Sequence, residues 1–152
     1  MTKKKIRIDT NSLIEQFGMK PYKLRVKEKY MSKRQLNHFK KILNSWKGQL
    51  EQEAEKTVNH MQKDSNSLAD PNDRATQESE FGLELRTRDR ERKLIRKIQS
   101  SLIKIDDGTF GYCEETGEQI GLQRLEARPV ASLTLEAQER REITERQFTD
   151  NR

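Results

Sequence analysis

The sequence predicts a mostly α-helical protein: a long antiparallel coiled-coil hairpin, then a small irregular module and a C-terminal helix. First, 37% of the 152 residues are charged and only 31% are hydrophobic, which favours long solvated helices over a thick core. Second, two long stretches repeat apolar residues at intervals of three and four, the period of coiled-coil helices. Third, the glycine-rich stretch "GYCEETGEQIG" at 111–121 indicates tight turns.

Residues 1–31 are expected to form a basic, flexible leader with at most one short helical turn. They show no sustained helical period, and "KPY" at 20–22 interrupts any earlier helix. Residues 1–47 carry 14 Lys or Arg against 3 Asp or Glu, so positive charge is concentrated here. Clustered cations can neutralise nucleic-acid phosphates, although a solvated tail is the commoner explanation of such a charge run. Both interpretations stay open on sequence alone.

The coiled-coil hairpin is predicted over residues 32–107. Its first helix should start after Ser32, which forms with Gln35 the spacing of a capping box, in which two side chains satisfy unpaired backbone N–H groups. The apolar stripe that should face the partner helix consists of Leu36, Phe39, Leu43, Trp46, Leu50, Ala54, Thr57 and Met61.

The tip of the hairpin is predicted at about residues 66–75, within the turn-rich stretch "KDSNSLADPNDRA". Asp70 suits an N-cap before Pro71, and Asp73 then lies in the first turn of the second helix. The two carboxylates could also hold Mg²⁺, a role compatible with helix capping. The stripe of the second helix is predicted to be Phe81, Leu85, Ile95, Ile98, Leu102 and Ile105.

Residues 108–133 are predicted to form a degenerate zinc-ribbon-like module after Gly108 ends the second helix, and residues 134–152 a C-terminal helix and tail. The spacing of a four-cysteine zinc site, C-x2-C-x17-C-x2-C, is kept by Cys113, Thr116, Thr134 and Ala137, which supply only one thiolate. We therefore expect no zinc, and Thr134 can instead cap the last helix. The turns should be held by glycines, by threonine hydroxyl hydrogen bonds, and by packing of Phe110, Tyr112, Ile120 and Leu122.

Other sequence features exclude several protein classes. The chain has no G-x-x-x-x-G-K loop and no G-x-S-x-G elbow, so an enzyme is not expected. His38 and His60 lie 22 residues apart, too far to share a metal ion on one helix. No stretch suits a membrane span or a signal peptide, so a cytoplasmic protein is expected. The run "RTRDRERKLIRK" places Arg90, Lys93 and Lys97 on one helix face, which suits a polyphosphate, an acidic protein surface or only solvent.

Five stretches match one known family in uninterrupted order, from about residue 30 to about residue 147. They are "YMSKRQLNHFKKIL", "DPNDRATQE", "LELRTRDRERKLIRKI", "FGYCEETGEQIG" and "QRLEARP". On these residues the chain resembles the DksA family of RNA polymerase-binding transcription factors, and its missing cysteines make it similar to the zinc-independent, cysteine-poor branch. The resemblance implies a monomer whose coiled coil enters the secondary channel of RNA polymerase while the ribbon base and C-terminal helix grip the channel rim.

The resemblance also implies a role in the stringent response. With guanosine tetraphosphate (ppGpp) as effector and no tightly bound cofactor, such a protein destabilises open promoter complexes, represses ribosomal RNA promoters and activates amino-acid promoters. The tip residues that act near the polymerase active site correspond to Asp70, Asp73 and Ala75. A further basic position of the family is Gln138 here, which weakens the expected ppGpp response. The ppGpp-binding residues correspond to Arg90, Lys93, Leu94, Lys97 and Arg128.

Two other functions remain as alternatives. A Gre-like transcript-cleavage factor also sends an acidic-tipped coiled coil into the polymerase channel, but its acidic pair positions a metal ion and water, whereas "DPND" contains a proline. A nucleic-acid-binding adaptor would use the basic N-terminal residues, although strong direct DNA binding is not expected. Cleavage of a backtracked transcript would support the first alternative, and salt-sensitive DNA binding without polymerase would support the second.

Overall fold

The structure, a computed structural model, describes residues 13–64 and 71–151. These residues form a mostly helical fold, as predicted, with one isolated antiparallel bridge between Tyr112 and Gln119. None of the described helices is long and apolar enough to cross a lipid bilayer. The helices are α1 (Leu13–Gln16), α2 (Lys33–Asp64), α3 (Pro71–Asp107), α4 (Leu122–Ala127) and α5 (Leu135–Asp150).

The chain divides into two compact units. The knuckle unit comprises Met1–Leu43 and Ser101–Arg152, of which 13–43 and 101–151 are described. The helix-pair unit comprises Asn44–Ser100. Each unit contains a part of α2 and a part of α3.

The helix-pair unit contains two antiparallel helices. Only six residues separate the end of α2 from the start of α3, and His60 Nδ1 of α2 lies 3.6 Å from Glu84 Oε1 of α3. Leu50 and Ile98 are its buried apolar residues among those described. A series of half-buried or buried positions of α3 alternates by three and four, which is the coiled-coil period: Phe81, Glu84, Arg88, Glu91, Ile95 and Ile98.

The prediction that Leu85 belongs to this stripe is wrong, because 49% of Leu85 is exposed. After Phe81, the next position on the side of α3 that faces α2 (the seam) is Glu84. Leu85 is one residue further along the helix, which rotates it by about 100° away from the seam. The predicted stripe of α2 is confirmed at Leu50, which is buried, and at Trp46, Ala54 and Thr57, which are half-buried.

The start of α2 confirms half of the predicted capping box. The Gln35 N–H donates to Ser32 Oγ at 3.4 Å, as expected. However, Gln35 Oε1 accepts from the Met31 N–H at 2.7 Å, not from the N–H of Ser32. The N–H of Ser32 already donates to the Lys29 carbonyl at 3.2 Å, so it is not available to the glutamine.

The ends of α3 agree with the sequence signals where they are described. The helix begins at Pro71 and has Asp73 in its first turn, whereas the predicted cap Asp70 lies outside the described residues. It ends at Asp107, and Gly108 follows with φ 78°, a left-handed conformation that glycine adopts without strain.

The core of the knuckle unit includes residues from the segment predicted to be a leader. Ile14 of α1 is only 1% exposed, and α1 packs against α4. Phe39 of α2 is fully buried, and its ring centroid lies 5.5 Å from that of Phe110. The boundary at residue 31 stays a prediction. Part of residues 13–31 nevertheless packs on the rest of the knuckle unit, through buried Ile14 and the long-range hydrogen bonds of Tyr22 and Tyr30.

Candidate functional site

The knuckle turn is closed by backbone hydrogen bonds. The N–H of Cys113 donates to the Glu118 carbonyl at 2.8 Å, and the N–H of Gly117 donates to the Cys113 carbonyl at 2.9 Å. The Ile120 N–H donates to the Gly111 carbonyl at 2.9 Å, which joins the two sides of the turn. The turn of a zinc knuckle is therefore present, with its backbone polar groups paired.

At the four positions with metal-ligand spacing, hydrogen bonds are found in place of the stronger bonds to a metal ion. Cys113 is 4% exposed, and the Thr134 hydroxyl lies 3.9 Å from its Sγ. Thr134 Oγ1 also accepts from the Ala137 N–H at 3.3 Å, so the prediction that Thr134 caps α5 is confirmed. Thr116 Oγ1 accepts from the Glu118 N–H at 3.3 Å, which supports the turn. Hydroxyl hydrogen bonds and a buried methyl group take the place of metal bonds.

These side chains do not fit a zinc ion. Structural zinc sites use four Cys or His ligands, whereas this set offers one thiolate, two hydroxyls with backbone partners, and the methyl group of Ala137. Within residues 13–64 and 71–151, no group of three or more His, Cys, Asp or Glu side chains could hold a metal ion.

The thiol of Cys113 is nevertheless perturbed. Burial raises its pKa, but hydrogen bonds from the Thr116 hydroxyl and from backbone amides, with that of Thr134 the strongest, outweigh burial and lower the pKa to about 6. These hydrogen-bond donors favour the ionised form of the Cys113 sulfur.

Tyr30 ties both sides of the knuckle to the segment before α2. Its hydroxyl donates to the Gly111 carbonyl at 2.7 Å and accepts from the Gly121 N–H at 3.0 Å. Burial raises the pKa of Tyr30. Gly111 has φ 90°, and a Cβ there would lie 2.9 Å from Met31 Cγ. The positive φ therefore favours glycine at this position, whereas the atoms that a Cβ would meet belong to the flexible side chain of Met31.

A second set of hydrogen bonds holds the chain around Tyr22. The Tyr22 N–H donates to Glu126 Oε1 at 2.6 Å, and the Tyr22 hydroxyl donates to Glu28. Glu28 also accepts from the Arg25 N–H at 3.0 Å and from the Ser32 hydroxyl at 2.8 Å. These donors, the Arg25 N–H first, lower the pKa of Glu28 to about 2. Sequence analysis missed the contact of Tyr22 with Glu126 and those of Tyr30 with Gly111 and Gly121, since no local pattern marks partners 81 to 104 residues apart.

Among the described residues proposed for the tip and for ppGpp, all are exposed except Leu94, which is half-buried. Asp73 and Ala75 are exposed in the first turns of α3, while Asp70 lies outside the described residues. The structure brings four of the predicted ppGpp residues to one face of α3 in the helix-pair unit: Arg90, Lys93, Leu94 and Lys97. Arg128 belongs to the knuckle unit, where it is exposed as the C-cap residue of α4. Gln138 Nε2 donates to Glu142 Oε1 at 3.0 Å.

The chain combines a pair of antiparallel helices with a knuckle that keeps the spacing of a zinc finger. This combination defines the class of protein: a helical hairpin with a zinc-finger-like module. Residues 35–105 match the family "DnaK suppressor protein DksA, N-terminal domain", and residues 108–142 match "Prokaryotic dksA/traR C4-type zinc finger". The chain belongs to the DksA family, although it keeps only one of the four cysteines that the second description names.

Relatives with curated names agree over nearly the whole chain. The chain is 52% identical to the RNA polymerase-binding transcription factor DksA of Haemophilus influenzae over 136 residues, 90% of this chain and 94% of that protein. It is 50% identical to the protein of that name from Escherichia coli over 137 residues, 90% and 91% of the two chains. Among solved structures, transcription factor DksA2 from Pseudomonas aeruginosa is similar with a TM-score of 0.72 and 36% identity, covering 77% of this chain and 90% of that one.

Proposed function

We propose that this protein binds RNA polymerase through its secondary channel and, together with ppGpp, destabilises open promoter complexes. It would repress ribosomal RNA promoters and activate amino-acid promoters as part of the stringent response. One observation carries the proposal: relatives named RNA polymerase-binding transcription factor align over 90% of this chain and over more than 90% of their own length. The alignment includes both the helix pair and the knuckle.

In this proposal the tip residues act near the polymerase active site. They are Asp70, Asp73 and Ala75. The exposure of Asp73 supports the role, because a side chain that makes no core contact can act on a partner without cost to folding. A mutation at the tip would then abolish promoter inhibition without weakening the binding of polymerase.

The basic face of α3 would supply the phosphate contacts of ppGpp. Arg90, Lys93 and Lys97 are exposed, and none of them forms an ion pair with a described carboxylate. Charge-assisted hydrogen bonds to phosphate contribute about 1.5–3 kcal/mol each. Leu94 would pack beside the nucleotide, Arg128 would add a further cation, and uncharged Gln138 would make the ppGpp response weaker.

The decisive experiment is transcription from a ribosomal RNA promoter with purified polymerase, with and without ppGpp. We expect the protein to shorten open-complex lifetime, and ppGpp to strengthen this effect. No change in lifetime at saturating protein would overturn the proposal. Cleavage of a backtracked transcript in the same preparation would favour the Gre-like alternative, since we propose that the protein is not an enzyme.

A further inference from the structure

Helix α4 of the knuckle unit is too short to hold its position without tertiary contacts. It spans six residues, and isolated helices shorter than about 12–15 residues are only marginally stable in water. Its N-cap residue, Gly121, makes no side-chain cap hydrogen bond. Arg128 is the C-cap residue, and its N–H donates to the Arg124 carbonyl at 2.8 Å. The position of Arg128 therefore depends on the contacts that hold the last turn of α4.

Different side chains hold the start, the middle and the end of α4. The N–H of the N-cap residue donates to the Tyr30 hydroxyl at 3.0 Å. In the middle, Arg124 Nε donates to the Leu133 carbonyl at 3.0 Å, only nine residues along the chain. In the last turn, Glu126 Oε1 accepts from the Tyr22 N–H at 2.6 Å, across 104 residues. Glu126 is therefore the link between the end of α4 and the segment before α2.

The partner of Glu126 is itself anchored to the first turns of α2. The ring centroid of Tyr22 lies 5.2 Å from that of His38, and the Arg34 guanidinium lies 4.9 Å from the centre of the Tyr22 ring. The Tyr22 hydroxyl donates to Glu28. His38 Nε2 also lies 3.7 Å from Glu126 Oε1. A single carboxylate oxygen thus faces both the Tyr22 backbone and a side chain of α2.

We propose that Glu126 is a positioning residue that holds Arg128 where it contacts a phosphate group of ppGpp, an inference that rests on the proposed function. Glu126 precedes Arg128 by two residues, about 3 Å along the axis at 1.5 Å per residue, so a shift of the last turn moves both. Arg128 is exposed and forms no ion pair with a described carboxylate, so its reach is set by its backbone. A planar guanidinium binds phosphate in a fixed geometry and therefore depends on its placement.

The sign of the effect distinguishes positioning from simple electrostatics. Glu126 carries a negative charge two residues from a proposed phosphate contact, so removal of the charge alone would strengthen the binding of an anion. Loss of the link to Tyr22 would weaken it. Glu126→Gln removes the charge but keeps a side-chain oxygen that can accept from the Tyr22 N–H, whereas Glu126→Ala removes both. The two substitutions are therefore expected to act in different directions.

The test measures the ppGpp concentration for half-maximal inhibition of a ribosomal RNA promoter, with purified polymerase and the full chain. Each value is compared with the same variant's inhibition without ppGpp, so a general loss of activity does not count. Glu126→Ala should raise this concentration about three- to tenfold, the range that the loss of one hydrogen bond to a charged group allows. Glu126→Gln should leave it unchanged or lower it. Glu145→Ala, an exposed change on α5, is the charge-matched control and should respond like the wild type.

A double-mutant cycle tests whether Glu126 acts through Arg128. Arg128→Ala should raise the half-maximal ppGpp concentration by itself. In that background Glu126→Ala should cause no further rise, because the side chain that it positions is already absent. An equal rise in both backgrounds would overturn the proposal, since Glu126 would then act on another contact. A rise with Glu126→Gln as large as that with Glu126→Ala would also overturn it.

A second measurement follows α4 without polymerase. Amide hydrogen exchange of the peptide that covers residues 121–128 should be at least about threefold faster in Glu126→Ala than in the wild type, and unchanged exchange would overturn the proposal. If the alanine variant unfolds by circular dichroism, Glu126→Met keeps the length of the side chain without a strong acceptor and should give the same results. A wild-type protein with no ppGpp response would overturn the proposed function together with this role. A normal ppGpp response in Glu126→Ala would overturn this role alone.

Discussion

The knuckle unit and the helix-pair unit differ in how completely they bury their apolar side chains. The knuckle unit buries Ile14, Phe39 and Leu125 almost completely and connects distant segments through Tyr30. The helix-pair unit has only Leu50 and Ile98 buried among its described apolar residues. A helix with one neighbouring helix buries a single narrow stripe, whereas several elements can enclose a side chain on all sides. Stability should therefore depend on knuckle residues, and exposed residues of the helix pair are available to partners.

The seam of the helix pair also contains polar groups that a core would exclude. Glu84, Arg88 and Glu91 occupy half-buried seam positions in the middle of α3. Glu84 Oε2 is buried without a hydrogen-bond partner in the described structure, while Oε1 faces His60. A buried, unsatisfied polar atom costs about 1–3 kcal/mol. The middle of this unit is therefore less stable than a continuous apolar seam would be.

The largest expected effect is the loss of promoter inhibition from a change at the tip, without a loss of stability. Asp73→Asn should abolish promoter inhibition but leave polymerase affinity and the free energy of unfolding nearly unchanged, because the side chain is exposed. Inhibition of a ribosomal RNA promoter and polymerase affinity are measured in parallel. Glu55→Gln, an exposed change on α2, serves as the control. Loss of affinity in proportion to inhibition would contradict a tip that acts after binding.

A matched pair of leucines compares the two units directly. Leu125→Ala, at a fully buried site in the knuckle unit, should lower the free energy of unfolding by about 2–5 kcal/mol. Leu85→Ala, at a site 49% exposed in the helix pair, should lower it by less than about 1 kcal/mol. Urea denaturation followed by circular dichroism measures both. Similar losses would mean that stability is shared equally between the units.

Charge reversal on the basic face should affect the ppGpp response by about one order of magnitude. Lys97→Glu removes one charge-assisted phosphate contact, worth about 1.5–3 kcal/mol, and adds repulsion. The ppGpp concentration for half-maximal inhibition should rise about tenfold or more, with little change in activity without ppGpp. Lys56→Glu on α2 is the charge-matched control. If both variants respond like the wild type, the ppGpp assignment is wrong.

Ionisation of the Cys113 thiol should make the free energy of unfolding of the knuckle depend on pH. The thiol pKa is lowered from 9.0 to about 6 in the folded protein, so folding is favoured by ionisation. This contribution is fully present above pH 9 and is lost as the pH falls through about 6, so the free energy of unfolding should rise from pH 6 to pH 9. Thr116→Val removes the hydroxyl donor and should flatten the rise, and Cys113→Ser should remove it. A rise that persists in both variants must come from other groups.

The smallest expected effect is that of a metal chelator. If the knuckle is held by packing and hydrogen bonds, chelation should leave both thermal unfolding and promoter inhibition unchanged, since no zinc binding energy contributes to folding. Elemental analysis should find no stoichiometric zinc in the purified protein. Chelator-dependent unfolding of residues 108–134, or one zinc ion per chain, would refute a metal-free knuckle.

The sequence by itself determined the long helices, the family and the lack of zinc ligands. Apolar spacing and end signals such as Pro71, Gly108 and Thr134 act within a few residues, so they can be recognised without tertiary structure. The donor set at the four metal positions is likewise a matter of composition, because a threonine or an alanine cannot become a thiolate in any fold.

Only the tertiary structure decided how the segment before α2 is used. Tyr30 bonds to glycines 81 and 91 residues away, and Tyr22 bonds to Glu126 104 residues away. The orientation of Glu84 and not Leu85 toward α2 depends on the register of the partner helix. Residues 20–23 lie beside the first turns of α2, where they line one pocket with Arg34 and Lys41. Such contacts depend on which chain segments meet in space, and a one-dimensional pattern of residue types contains no distance between distant segments.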